Sequence, residues 1–336
     1  MRGDPRVSVL LPVFNGEATL AACLRSVARQ TEADWECVLV DDGSSDGSLA
    51  CARRFAGLDR RFRVVASRHV GLVEALNSGL ALCRGRFVAR MDADDLMHRA
   101  RLYEQASVLE ASAHLAAVGC HVRLFPRSAL AEGMRAYERW LASIDSPRRV
   151  QEEAFVECPL AHPTLMARRE ILQALRYRDC GWPEDYDLVL RLLEAGHDLS
   201  VVPRRLLAWR HGPDRLSHTS PVYAISRFTA CKASFLARGF LSAVDRYLLW
   251  GYGATGKALR AALHQHDKRP SAIVELHPGR IGTQIHGALV IRPEELESPP
   301  LQPLVVSVAG ETARGEIRAD LAALGYRELR DFVCAA

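Results

Sequence analysis

The sequence has no apolar stretch of the roughly 18 residues that a membrane-spanning helix needs. Even its longest early run, Val7–Phe14, is interrupted by Ser8 and Pro12. The start, MRGDPRVSVLLPVF, lacks the apolar region and small-residue cleavage site of a secretory signal, and reads as leading directly into a strand. No C-x-x-C occurs among the nine cysteines. The count is odd and several lie inside apolar runs, so reduced, buried thiols are expected, and the spacing disfavours a cysteine zinc site. Lysine is scarce: of 44 basic residues, only Lys232, Lys257 and Lys268 are not arginine. A dominant charge sign is missing too. Forty acidic residues leave a net charge of +4, too balanced for a dedicated nucleic-acid binder, so no nucleic-acid partner is expected.

What is present is ordinary globular composition, 49% hydrophobic and 25% charged over 336 residues. At about 150 residues per domain, that length suggests two domains. The first hundred residues alternate strand-like and helix-like patterns. Val7–Phe14, Trp35–Asp41, Phe62–Ser67 and Arg86–Met91 read as strands; Glu17–Gln30, Ser48–Phe55 and Leu72–Cys83 read as helical. Such alternation implies an α/β fold with a mostly parallel sheet covered by helices. Beyond Arg101–Ala111 (helix) and Leu115–Leu124 (strand), the order is less regular, with two short strands expected at Leu199–Val202 and Leu206–Arg210.

Polar clusters sit at the ends of three strands: Asn15-Gly16-Glu17, Asp41-Asp42-Gly43-Ser44 and Asp92-Ala93-Asp94-Asp95. Sites in such sheets lie at the carboxyl ends of strands. Asp92 and Asp94 share one face of an extended chain. Adjacent carboxylates repel, so the pair fits a hard divalent ion, Mn²⁺ or Mg²⁺, or else a solvated loop with helix capping. Asp41, Asp42 and Asp46 could make only turns, or could accept hydrogen bonds from a base or ribose. Trp182-Pro183-Glu184-Asp185 precedes a helix, where acids either complement the macrodipole or serve as a general base. His211 ends a strand-like run, as a surface residue or as a metal or phosphate contact.

Together, PVFNGE (12–17), VDDGSSD (40–46), ARMDADD (89–95), PEDYDL (183–188) and WRH (209–211) resemble the glycosyltransferase family 2 group, over roughly residues 6–220. The resemblance implies a GT-A fold and an inverting, metal-dependent transfer from a nucleotide-sugar donor, a UDP-sugar. It implies that Pro12, Asn15 and Glu17 line the nucleotide pocket and that Asp42 holds the base, with Asp41 beside it. Asp92 is implied near the ribose or donor sugar and Asp95 at the sugar. Asp94 would hold the cation, with His211 as auxiliary ligand. Asp185 would be the catalytic base, with Glu184 adjacent. The acceptor implied is a hydroxyl of a surface glycan or glycolipid. The Q-x-x-R-W signature of processive members is absent, which favours single addition.

A second pattern follows. Tyr247–Trp250 is strand-like, Gly251-Tyr252-Gly253-Ala254-Thr255-Gly256 matches G-x-G-x-x-G, and Glu275 lies about 20 residues beyond, at the end of another strand-like run. The unit resembles Rossmann-type nucleotide-binding domains. This implies a dinucleotide or other nucleotide there, unless the glycines only close a tight turn. Ala258 stands where a P-loop needs Ser or Thr. The expected organisation is a GT-A domain over 1–220, a basic amphipathic helical connector over 221–243 and a small Rossmann-like domain over 244–336. The stretch Val222–Leu249 would contact a membrane surface or pack on its own protein. The expected location is the cytoplasm, with peripheral contact at the inner face of the membrane as an option. Competing readings are an NAD(P)-dependent oxidoreductase and a non-catalytic nucleotide-sugar sensor. The sequence leaves the oligomeric state open.

Overall fold

The computed structural model describes residues 3–213, 215–298 and 301–336. It divides into two compact units, Met1–Val150 with Leu160–Cys180 and Asp187–Thr219, and Gln151–Pro159 with Gly181–Tyr186 and Ser220–Ala336.

The first unit is built on an eight-stranded sheet. Its strands are β1 (Val7–Val13), β2 (Trp35–Asp42), β3 (Phe62–Ser67), β4 (Phe87–Arg90), β5 (Leu96–Met97), β6 (Leu115–Phe125), β7 (Met166–Arg168) and β8 (Asp198–Arg210). The order is β3-β2-β1-β4-β7-β6-β8-β5. Strands β3, β2, β1 and β4 run parallel, and β7 runs against both β4 and β6. Every residue of β1 and β2 is buried, as expected of parallel strands covered on both faces. Helix α1 (Glu17–Ala28) buries Leu20, Cys23, Leu24 and Val27, one stripe at helical spacing. Helices α2 (Ser48–Leu58), α3 (Leu72–Leu82) and α4 (Arg101–Ala111) complete the frame.

Register sets up the site. Val13 pairs with Asp41 and Leu10 with Arg90. The Met91 N–H then donates to the Leu10 carbonyl at 3.0 Å. The chain therefore leaves β4 beside β1 and delivers Asp92–Asp95 to the same sheet edge as Asn15 and Asp41. One expectation changes. The two short strands around Pro203 are a single strand, β8, and the register shifts opposite it at Cys120–Val122 absorb the irregularity.

The second unit holds a six-stranded sheet of β9 (Arg246–Trp250), β10 (Arg269–Val274), β11 (Gln284–Ile285), β12 (Ala288–Ile291), β13 (Leu304–Val306) and β14 (Phe332–Cys334), ordered β11-β12-β10-β9-β13-β14. All pairs are parallel except β11·β12. The amphipathic stretch is helical only over Ile225–Arg238 and ends at Gly239. Its Ala233, Leu236 and Ala237 join Leu249, Leu259 and Ile273 in this unit's core. The C-terminal half of the helix is thus buried in this unit, so the segment is not a free connector, while Ile225 at its start is 85% exposed. Among the described residues, no helix is long and apolar enough to cross a membrane.

The expected boundary at residue 220 also differs from the structure, because 151–159 and 181–186 belong to the second unit. Glu153, fully buried, meets Arg318 at 2.9 Å and Arg314 at 3.6 Å. Phe155 and Val156 pack on the unit's two core clusters. Lys232 Nζ donates to the carbonyls of Val156 (3.0 Å) and Ala335 (2.8 Å). These long-range ion pairs and apolar contacts leave no local pattern in the sequence.

Candidate active site

The loop after β1 is stitched to the loop after β2. Asn15 adopts φ +50°, a left-handed conformation that Asn tolerates better than most residues. Its Oδ1 accepts the Ser45 N–H at 2.8 Å, and its own N–H donates to Ser44 Oγ at 3.0 Å. Glu17 donates its N–H to Asp46 Oδ2 and accepts the Gly47 N–H, both at 3.0 Å. Pro12 is buried within β1 opposite Val40. Asn15 and Glu17 therefore shape the loops, and Pro12 lies inside the sheet.

The two acids ending β2 differ in how their oxygens are used. Asp42 accepts the Val70 N–H (2.8 Å) and the Gly71 N–H (2.9 Å), and His69 Nδ1 lies 2.8 Å from its Oδ2. It holds the turn that opens α3. Asp41 accepts the Ser44 N–H through Oδ2, while its buried Oδ1 has no hydrogen-bond partner. A buried orphan oxygen of this kind calls for an explanation such as a ligand. Beside Asp42, His69 stacks on Phe14 with ring centroids 4.1 Å apart, and Phe14 is 48% exposed.

Asp92, Asp94 and Asp95 each present an oxygen, all within 4.8 Å of one another. Burial pushes the Asp92 carboxyl up, but Arg90, Arg215 and His162 outweigh it and hold it below its usual range. Asp94 is raised by burial and then by Asp92. Asp95 is pushed well up by burial and then by the charges of Asp92 and Asp94. Asp95 Oδ1 accepts the Arg210 N–H at 2.7 Å, and its buried Oδ2 has no hydrogen-bond partner. Underneath, the fully buried Arg101 donates to the Arg90 carbonyl at 2.9 Å and to Gln105 at 2.8 Å. The donor set is entirely carboxylate and leaves an unpartnered oxygen, so these residues fit a hard divalent cation. Arg90 and Arg215, both paired with Asp92, were not singled out by sequence reasoning, nor was His162. The Arg90 signal was available, since it directly precedes MDADD.

His211 is not among the carboxylates gathered at Asp92–Asp95. Its N–H donates to the Phe125 carbonyl at 2.8 Å and its ring lies edge-on to His218. Burial, then His218 and Arg215, push its pKa down, toward the neutral imidazole that ligates metals.

Glu184 and Asp185 open the helix Glu184–Glu194 and belong to the second unit. Glu184 is buried and accepts the Tyr223 hydroxyl at 2.6 Å, whereas Asp185 is half-buried. Tyr186 donates its hydroxyl to the Ala154 carbonyl at 2.8 Å and packs against Phe228. The start of this helix is thus built into the core of the second unit.

In the glycine turn, Gly251 has φ +90°, and a Cβ on Gly256 would lie 2.3 Å from the Gly251 carbonyl oxygen. Both positions require glycine, for backbone conformation and for close helix–turn packing respectively. A Cβ on Gly253 would meet nothing within 4 Å. Glu275 pairs with Arg280 at 3.0 Å and accepts the Leu276 N–H at 3.1 Å.

The sequence model described as Glycosyl transferase family 2 matches residues 8–176. The chain belongs to this family. It is 31% identical over 242 residues to the putative glycosyltransferase EpsE of Bacillus subtilis, covering 69% of this chain and 84% of that protein. It is 32% identical over 214 residues to the amylovoran biosynthesis glycosyltransferase AmsE of Erwinia amylovora, covering 62% and 78%. Among solved structures it is similar to S. aureus TarS 1–349 in complex with UDP-GlcNAc, with TM-score 0.53, 17% identity, and 78% and 72% of the two chains covered. It is also similar to the mannosyltransferase PcManGT of Pyrobaculum calidifontis in complex with GDP-Man and Mn²⁺, with TM-score 0.50, 20% identity, and 79% and 69% covered. These structural likenesses show the fold, an α/β GT-A arrangement. The family makes the protein a glycosyltransferase.

Proposed function

We propose that this glycosyltransferase moves a sugar from a nucleoside diphosphate sugar, a UDP-sugar, to a hydroxyl of a surface glycan or glycolipid, with inversion and with a divalent metal. The observation that carries the reading is the Asp92–Asp94–Asp95 carboxylate cluster at the end of β4, in a chain of this family. Asp94, with Asp92 and Asp95, would hold Mn²⁺ or Mg²⁺, and His211 is the auxiliary ligand proposed from the WRH motif. A bound divalent ion supplies Lewis-acid stabilisation of the leaving diphosphate. Arg90 and Arg215 hold Asp92 ionised. Asp41 and Asp42 are proposed to take the nucleobase. Asp42 orients the loop that carries His69, and the unpartnered Asp41 Oδ1 supplies an acceptor for a base N–H. Asn15 and Glu17 keep both loops in place.

On the acceptor side, Asp185 is the proposed base. Its carboxylate takes the proton of the acceptor hydroxyl as that oxygen attacks the anomeric carbon. The anomeric bond to the diphosphate breaks, and the nucleoside diphosphate leaves with the electron pair. Glu184, held by Tyr223, fixes the start of the helix that presents Asp185. We also propose that the C-terminal unit is a Rossmann-like nucleotide-binding domain. The order β12-β10-β9-β13-β14, the φ of Gly251 and the tight contact at Gly256 support that reading. The test is a panel of UDP- and GDP-sugars assayed for hydrolysis with Mn²⁺ or chelator. Metal-dependent release of UDP, lost in Asp94→Asn, is expected. A chain that binds donors and turns none over would be a sensor instead.

A further inference from the structure

A cavity of about 440 Å³ in the second unit is lined by Tyr252, Lys257, Arg260, Arg280, Ile285 and His286. That volume lies within the range of small-ligand sites. Three lining residues are basic and none is a carboxylate. Lys257 and Arg260 stand three residues apart on the helix Ala254–His264, so they share a face. Neither has a salt-bridge partner among the described residues, and Arg260 Nε is buried without a hydrogen-bond partner. Arg280 brings its own acid, Glu275, which is already engaged at both oxygens. A NAD site relies on that acid to accept the ribose hydroxyls. Here it is paired with Arg280, and three basic side chains line the space instead. The turn adds room for backbone approach, since Gly253 faces open space at the helix start, where N–H groups favour anions.

We infer that this cavity binds the diphosphate group of a nucleotide through Lys257, Arg260 and Arg280, without a metal ion. The inference rests on the Rossmann-like reading above and names the chemistry that the site recognises. Two sources share that chemistry: a free nucleoside diphosphate, such as the product of the proposed transfer, and a dinucleotide.

The test is isothermal titration of the full-length protein in chelator with UDP, ADP, NAD⁺ and NADP⁺. At least one is expected to bind, with affinity falling as salt rises. The exposed Lys257→Glu should weaken that binding at least tenfold, and Lys257→Glu with Arg260→Glu should abolish it. Lys257→Arg should retain it. Circular dichroism melts keep folding separate from binding. Binding that Lys257→Glu weakens and Asp41→Asn leaves unchanged belongs to the second unit; for such binding, preference for UDP or ADP assigns the free nucleotide, and preference for NAD⁺ or NADP⁺ the dinucleotide. Metal-free binding that survives both charge reversals but is lost in Gly253→Val would overturn the cationic site while leaving the Rossmann-like reading standing. No metal-free binding of any of the four would overturn both.

Discussion

Replacing Asp95 by Asn should stabilise the metal-free protein while damaging its metal response. Asp95 is fully buried, within 4.8 Å of oxygens on Asp92 and Asp94. At an effective dielectric near 20, two full charges at that distance repel by about 3.5 kcal/mol. Arg90, Arg215 and His162 offset part of this at Asp92, and protonation relieves more. The raised positions of Asp94 and Asp95 fix the sign. Their folded-state pKa values exceed the unfolded ones, so the folded chain is penalised at neutral pH and recovers as pH falls through the folded values. Asn removes one charge yet can still accept the Arg210 N–H that Asp95 takes at 2.7 Å. A net gain of about 1–2 kcal/mol is expected at pH 7.5 in chelator, a rise in Tm of roughly 1–3 °C for a chain of this length. The wild type should gain about 2.7 kcal/mol from Mn²⁺ at 100 times its Kd, and the variant much less. Calorimetric melts in chelator and in Mn²⁺ measure both. A lower Tm in chelator together with an undiminished Mn²⁺ response would refute the reasoning.

Three further outcomes follow from the same geometry. Asp185→Asn should lower transfer about 10²–10⁴-fold, the range for general acid–base catalysis, with donor affinity kept; an equal loss of donor binding in titration would move Asp185 to the donor side. Asp42→Asn should cost roughly 1–3 kcal/mol, because it weakens the acceptor for the Val70 and Gly71 N–H groups, whereas Asp41→Asn should weaken UDP binding with little change in melting. Equal behaviour of the two variants would contradict that division. Glu153→Gln removes the charge facing Arg318 and Arg314 and should destabilise by about 2–4 kcal/mol, near the 3–5 kcal/mol of a broken buried pair; unchanged melting and transfer would show that 151–159 is not held as described.

The central strands and their acids were legible because parallel, doubly covered strands leave continuous apolar runs that end abruptly in polar residues. Val7–Val13 and Trp35–Asp42 are cases in which burial of every residue writes itself into composition. How an acid is used was not legible. Asp41 and Asp42 look alike in VDDGSSD, and only the fold brings the Val70 and Gly71 N–H groups onto the second. The surroundings of Asp92 were hidden for the same reason, since Arg215 lies 123 residues away in the chain. The division at residue 220 followed motif positions, whereas the Glu153–Arg318 contact spans 165 residues. Two short strands were expected at Leu199–Val202 and Leu206–Arg210, yet β8 runs through Pro203 between them, where the register slips.

The most direct test of the account is UDP release from a UDP-sugar panel by the full-length protein and by Asp94→Asn, each in chelator and in Mn²⁺. The account predicts turnover of at least one donor by the wild type in Mn²⁺, little in chelator, and loss of most of the Mn²⁺-dependent rate in a folded Asp94→Asn. Near-wild-type turnover by that variant, or equal wild-type rates with and without metal, would contradict it.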